Sequence, residues 1–186
     1  MNMLVTDNNT IGNLPVIKEH DEHTIYELPI NKGRIKIFKN PDMIDFNFIV
    51  RLIENYHLEK HGILVPNSKV ISTFKSNPLA TVGFYYNYLD SDSIEDIING
   101  KSVLQASLRQ INDAYMEALD NIEFFTKNGI NLSGMSSNNV IYTKDNKILF
   151  TNIEKLNMSM GRNGNNMQLF KECVDPIKLI KMLDRK

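Results

Sequence analysis

The chain has 186 residues, 42% hydrophobic and 23% charged, with 21 basic against 22 acidic side chains and a formal net charge of -1. That composition excludes wholesale disorder, and near-neutrality excludes a global attraction to nucleic acid or an anionic membrane. The single cysteine, Cys173, and four scattered histidines exclude an internal disulfide and a tetrahedral zinc site of the usual kind.

No apolar run approaches the ~18–20 residues that span a bilayer, and the first residues lack the charged-then-apolar order of a signal peptide, so a soluble protein is expected. At about 150 residues per domain, the length fits one domain or two closely packed lobes. Residues 1–13, MNMLVTDNNTIGN, are polar and aperiodic and read as a flexible leader. Next, HTIYELPI and GRIKIFK read as strands, the second alternating Ile35 and Ile37 against Lys36 and Phe38. Lys32-Gly33 after Asn31 supplies the turn between them.

Pro41-Asp42 offers a helix start, and Ile49, Leu52, Ile53 and Tyr56 recur on one helical face until Gly62 and Pro66. Two strands follow, at Lys69 to Phe74 and Ala80 to Leu89. Helical spacing then takes over, at Ser93 to Ile98 and through Leu108, Ile111, Tyr115, Ala118, Ile122 and Phe125, ending at Lys127-Asn128-Gly129. Asn131 to Asn139 reads as a loop, Val140-Ile141-Tyr142 and Ile148-Leu149-Phe150 as a hairpin, Asn157 to Asn166 as a mobile loop, and Pro176 to Leu183 as a short amphipathic helix.

Strands around one helix, an aromatic strand, a polar break, a long helix, a loop and a hairpin: this order resembles the core of a protein kinase. GRIKIFK resembles the strand bearing the nucleotide-pairing lysine, and FYYNYLDSDSIEDII the hinge entering the large lobe. INDAYMEALDNIEFFTKNGI resembles the long helix before the catalytic loop. LSGMSSNNVIY falls at the His-Arg-Asp loop and ILFTNIEKL at the Asp-Phe-Gly strand. The likeness covers residues 14–156 and is greatest to the minimal effector kinases that bacteria inject through type III secretion. Only 34 residues follow Asn152, too few for the peptide-binding platform of a regular kinase.

The resemblance implies an α+β, two-lobed fold, with a flexible leader at 1–13, an antiparallel-sheet small lobe with one helix at 14–88, and a truncated, mainly helical large lobe at 89–186. It also implies that Lys36, Glu54, Asn87, Leu89, Asn139 and Asn152 face a nucleotide. Lys36 would meet the phosphates, with Glu54 fixing it. A solvated lysine on an edge strand is the competing reading, and Lys39 with Glu59 the fallback pair.

At the base position stands Gly134, which has no side chain, with Leu132 and Ser133 before it. General-base help contributes about 10²- to 10⁴-fold in rate. Asn152 replaces the metal-binding aspartate, so Asn139 and Asn152 are weak metal candidates without formal charge, or simply turn residues. The phosphate-loop segment Ile17 to Thr24, IKEHDEHT, has no glycine and carries Glu19, Asp21 and Glu22, which repel phosphate; it also reads as a polar hairpin turn. His57 and His61 lie four apart, as a surface pair on one helical face.

Two functions are therefore in view. One is a pseudokinase that binds no cofactor, or weak ATP with Mg, and docks a protein partner. By analogy with secreted effectors, that partner is a host protein of the ubiquitin or signalling machinery, met in the host cytoplasm, in a role in virulence. Tyr85, Tyr86, Tyr88 and the methionine-bearing tail are its candidate contacts. The other is an atypical minimal protein kinase or nucleotidyl transferase using ATP, with Asp145 or Glu154 replacing the missing acid. An unrelated α+β module would leave Lys36 and Asn152 as surface residues.

Overall fold

A computed structural model describes residues 2–6, 8–29, 32–72, 80–158 and 165–184. The chain is α+β and mostly antiparallel, and it divides into two compact units. The first is Met1–Arg51 with Val65–Leu89, and the second is Leu52–Leu64 with Asp90–Lys186.

The first unit holds a six-stranded sheet of β1 (Asn2–Thr6), β2 (Val16–Glu19), β3 (His23–Glu27), β4 (Arg34–Phe38), β5 (Ser68–Ser72) and β6 (Ala80–Tyr86). Their order is β1-β5-β6-β4-β3-β2, antiparallel except for the β1–β5 pair. One face is aliphatic, with Ile35, Val70 and Val82 packed with Ile11. The other is aromatic: Phe38, Phe46 and Phe84 meet edge-on with centroids 5.2–6.0 Å apart. Alternation along β4 sends Ile35 to the first face and Lys36 with Phe38 to the second, so β4 is apolar on both sides.

The expected leader is corrected here, because it forms β1 and α1 (Asn8–Gly12). Its Leu4 and Ile11 contribute to the aliphatic cluster, a long-range partnership that local polarity conceals. The turn between β3 and β4 also differs in detail, since Lys32, at φ 54, takes the left-handed conformation. Phe74, in the expected fifth strand, lies outside the described residues, and β6 ends at Tyr86, short of Leu89.

Pro41–Met43 is only a 3-10 turn. Helix α2 (Phe46–Tyr56) starts where Asp45 Oδ1 accepts from Phe48 N at 2.8 Å, and it stops at His57, whose φ of 48 is left-handed. His57 and His61 therefore do not share a helical face: His57 faces Glu59 at 3.8 Å and His61 stacks on Phe124 at 3.5 Å.

The boundary between units falls within α2, and the span that follows belongs to the second unit. Leu64 N donates to Phe150 O at 2.9 Å, and Phe150 N to Gly62 O at 2.8 Å. Around these bonds the second unit assembles β7 (Ser91–Ser93), α3 (Ile94–Ile98), α4 (Leu108–Lys127), β8 (Ile130–Leu132), β9 (Val140–Thr143), β10 (Ile148–Phe150), β11 (Leu156–Met158), α5 (Asn166–Cys173) and α6 (Pro176–Leu183).

Helix α4 opens with a reciprocal capping box between Ser107 and Gln110 and buries Ile111, Ala114, Ala118, Ile122 and Phe125. Leu108, placed on that stripe by spacing, is 49% exposed because it precedes the packed part of the helix. Phe125, Phe150 and Phe170 form an edge-on chain through the core. The expected loop at Asn131 to Asn139 begins instead as β8, paired with β11 through Leu132 and Leu156. That pairing, with α5, takes up both ends of the segment expected to be a mobile loop; residues 159–164 lie outside the described ones. Among the described residues no helix is long and apolar enough to cross a membrane.

Candidate functional site

The site residues expected from sequence divide between the units. In the first, Lys36 is 6% exposed on β4, with its ammonium 5.5 Å from the Phe38 ring centroid. Strands β3 and β6 flank β4, so the reading of a solvated edge lysine is corrected: the strand is interior and the side chain lies on the aromatic face. Gly83 of β6 makes this possible, since a Cβ there would collide with the Lys36 carbonyl oxygen. Lys39 is no substitute, because it is exposed and paired to Glu19 at 3.0 Å.

Asn87 accepts from the Tyr85 hydroxyl at 2.9 Å, and its backbone N donates to Asn67 Oδ1 at 2.7 Å; Leu89 is half-buried. Of the candidate contact tyrosines, Tyr86 is 7% exposed and leaves the set, while Tyr88 is 47% exposed. The ammonium of Lys32 lies 5.9 Å from the Tyr88 ring centroid.

The β2–β3 turn runs His20-Asp21-Glu22, closed by His20 N donating to His23 O at 2.9 Å. Burial, then the charges of Lys18 and Lys36, hold His20 below its ordinary 6.5, against Asp21. Glu19, Asp21 and Glu22 are exposed.

In the second unit, Asn139 and Asn152 line one small depression with Leu132, Ser133, Met135 and Phe150. Thr151, the neighbour of Asn152, donates to the Asn139 carbonyl from its backbone N at 2.9 Å and its hydroxyl at 3.1 Å. The Asn139 amide donates in turn to Gly134 O at 3.0 Å and Ser136 Oγ at 3.1 Å. Asn139 thus holds the shape of the loop with its nitrogen and leaves Oδ1 as the one side-chain acceptor.

Gly134 has φ 83, and a Cβ there would meet Lys155 Cγ at 3.2 Å and Cβ at 3.3 Å. The position where the resemblance expects a base therefore carries no side chain, and the Lys155 stem borders the space one would enter. Ser133 Oγ donates to the Lys155 carbonyl and accepts from Asn157 Nδ2 at 2.8 Å, which ties the loop to β11.

The replacement acids divide by position. Asp145 is exposed at the hairpin tip, at the far end of β9 from Asn139, whereas Glu154 is half-buried in the 3-10 turn Ile153–Lys155 that follows Asn152. Glu54 is exposed on α2 in the span counted with the second unit, and Glu59 is exposed beside His57. Two neutral amides suit Mg²⁺ poorly, because hard cations prefer anionic oxygen. Among the described residues no group of three His, Cys, Asp or Glu side chains is placed to hold a metal ion.

Sequence reasoning missed Asn166. It is 1% exposed, accepts from Leu132 N at 2.9 Å and donates to Ile130 O at 2.8 Å. It thus pairs with β8 as a neighbouring strand would, just before the loop of Gly134. The only signal was an asparagine opening the apolar run Met167, Leu169, Phe170. In comparisons with known proteins, no family model matches the chain and no curated protein matches it.

Proposed function

We propose that the chain is a kinase-like protein without phosphoryl transfer, a pseudokinase that works by docking a partner protein. In the first unit, the reading is supported by the order β5-β6-β4-β3-β2 with α2 between β4 and β5 in sequence. In the second it is supported by the long α4, the β8–β11 pair and the β9–β10 hairpin around the Asn139 loop.

The observation that carries the loss of catalysis is Gly134: no side chain, a left-handed backbone, and the Lys155 stem within 3.3 Å of where a Cβ would stand. The partner class rests on the resemblance to injected effectors, which makes a host protein of the ubiquitin or signalling machinery the proposed target. Tyr88 is the proposed aromatic contact, by its exposure.

One observation favours the second reading, a minimal kinase. Lys36 is buried on an interior strand and not solvated at an edge, as a phosphate-pairing lysine would be. The two readings separate when ATP is titrated with and without Mg²⁺ while the melting temperature is followed, since a ligand bound only by the folded state raises it. The docking reading expects no magnesium-dependent rise and no labelled phosphate on protein. A magnesium-dependent rise that Lys36→Met removes, with label transferred to protein, would replace it with the kinase reading.

A further inference from the structure

The turn between β2 and β3 gathers groups that carry or can take a positive charge. The His20 and His23 rings lie 4.5 Å apart between centroids, inclined at 34°. His23 is 8% exposed and meets Phe38 edge-on at 6.1 Å. Lys36, buried on the same face, has its ammonium 5.5 Å from the Phe38 ring centroid. His20 is half-buried and forms the outer layer of this stack.

Two backbone bonds close the turn: His20 N donates to His23 O at 2.9 Å, and Lys39 N to Glu22 O at 3.0 Å. Each neighbouring segment brings charge towards His20. Lys18 and Glu19 lie on β2, Asp21 and Glu22 in the turn, Lys36 on β4 and Lys39 just after it. Glu19 is paired to Lys39 at 3.0 Å, and Asp21 and Glu22 are exposed, so solvent and salt screen the negative charges. Lys36, 6% exposed, is screened far less. Charging His20 in the closed turn therefore sets a cation against the His23 ring and in the field of Lys18 and Lys36, with part of its own ring kept from water. These causes, burial first, hold His20 below its ordinary 6.5, against Asp21.

From this cluster we infer that the β2–β3 turn is a proton-operated latch, closed while the uncharged His20 ring lies on His23 and released when His20 takes up a proton. An open turn gives His20 to water at its ordinary 6.5, so it binds the proton more tightly than the closed turn does. The closed state is fully favoured above 6.5 and loses ground as pH falls from there through the lower value of the closed turn. One proton changes the opening equilibrium by at most about tenfold per pH unit across that window. Release uncovers the His23 ring and breaks the two turn bonds, while the β4–β6 ladder stays paired.

Hydrogen exchange on the full chain tests the latch, with each rate compared to its intrinsic value at the same pH. Protection at His20 N and Lys39 N should fall between pH 7.5 and pH 5, while amides of the β4–β6 ladder keep theirs. His20→Phe keeps a ring against His23 but takes no proton, and should hold the turn closed across the range. Protection that does not vary with pH overturns the inference. A fall that survives in His20→Phe does so too, because another group would then be titrating. A parallel fall in the β4–β6 ladder would show the whole unit opening in place of the turn, and would likewise sink it. Should His20→Phe disturb the turn already at pH 7.5, Lys18→Gln decides at an exposed side chain. Removing that opposing charge should shrink the fall, and an equal fall overturns the latch.

Discussion

Asn166 shows how one buried amide can hold a three-residue strand in place of a neighbouring strand. Its oxygen and nitrogen occupy Leu132 N and Ile130 O, the two β8 groups on the side away from β11. Replacing it with leucine keeps the number of side-chain heavy atoms and orphans both groups, and each buried unsatisfied backbone group costs about 1–3 kcal/mol. Asn166→Leu should therefore lower stability by roughly 2–6 kcal/mol in urea melts. Its effect should extend to faster hydrogen exchange at Leu132 N than elsewhere in the second unit, which a general loss of packing would not single out.

Tyr142 offers a test by pH. Its hydroxyl donates to Asn146 Oδ1 at 3.0 Å, and burial pushes its pKa from 10.0 to about 12. Between those values the unfolded chain has lost this proton and the native chain keeps it, so stability falls as pH rises through that window and is fully present below 10.0. Tyr142→Phe removes this share of the alkaline loss. The gap between the two proteins in urea midpoint should shrink from pH 9 to pH 11; a constant gap would mean that the hydroxyl titrates as in the unfolded chain.

Among the elements, those carrying a complete local signal were legible. Helix α4 was found by its apolar stripe and its stop at Asn128, and α6 by its apolar spacing, because amphipathic periodicity is a local property. The β9–β10 hairpin was legible because both its strands and its turn are contiguous. Strands β8 and β11 have three residues each and are partners across 24 positions at Leu132 and Leu156, so no short window contains their reason to exist. The arm β1–α1 was hidden for the same cause, since β5 lies more than 60 residues away.

The legibility of the candidate site follows this division. The Asn139 loop, with Gly134 in it, could be read from the string alone. The burial of Lys36 could not, because alternation gives the face it shares with Phe38 but not the flanking of β4 by β6. At that contact Gly83 tolerates no side chain against Lys36 O, so Gly83→Ala should separate the strands and lower stability by about 3 kcal/mol or more. Thermal melts would check the loss, and a near-neutral change would show that β4 and β6 can spread without penalty.

At the scale of the whole molecule, the proposed reading raises the question of whether catalysis would be blocked at one position or several. Were it only the missing carboxylates, Gly134→Asp with Asn152→Asp would restore it. The structure sets two obstacles before any chemistry begins. A non-glycine residue at φ 83 carries a conformational cost of about 1–2 kcal/mol, and its Cβ meets the Lys155 stem, which has to shift. In the first unit, the turn expected at the phosphates remains His20-Asp21-Glu22, with no glycine to bring backbone amides close and with exposed carboxylates that repel anions. A restored base is worth at most about 10⁴-fold and acts only on a substrate already held. The double variant should therefore melt below the wild type and release no more ADP from Mg·ATP than the wild type does. Measurable turnover would instead locate the whole loss at those two carboxylates and make the chain a kinase disabled at its last step.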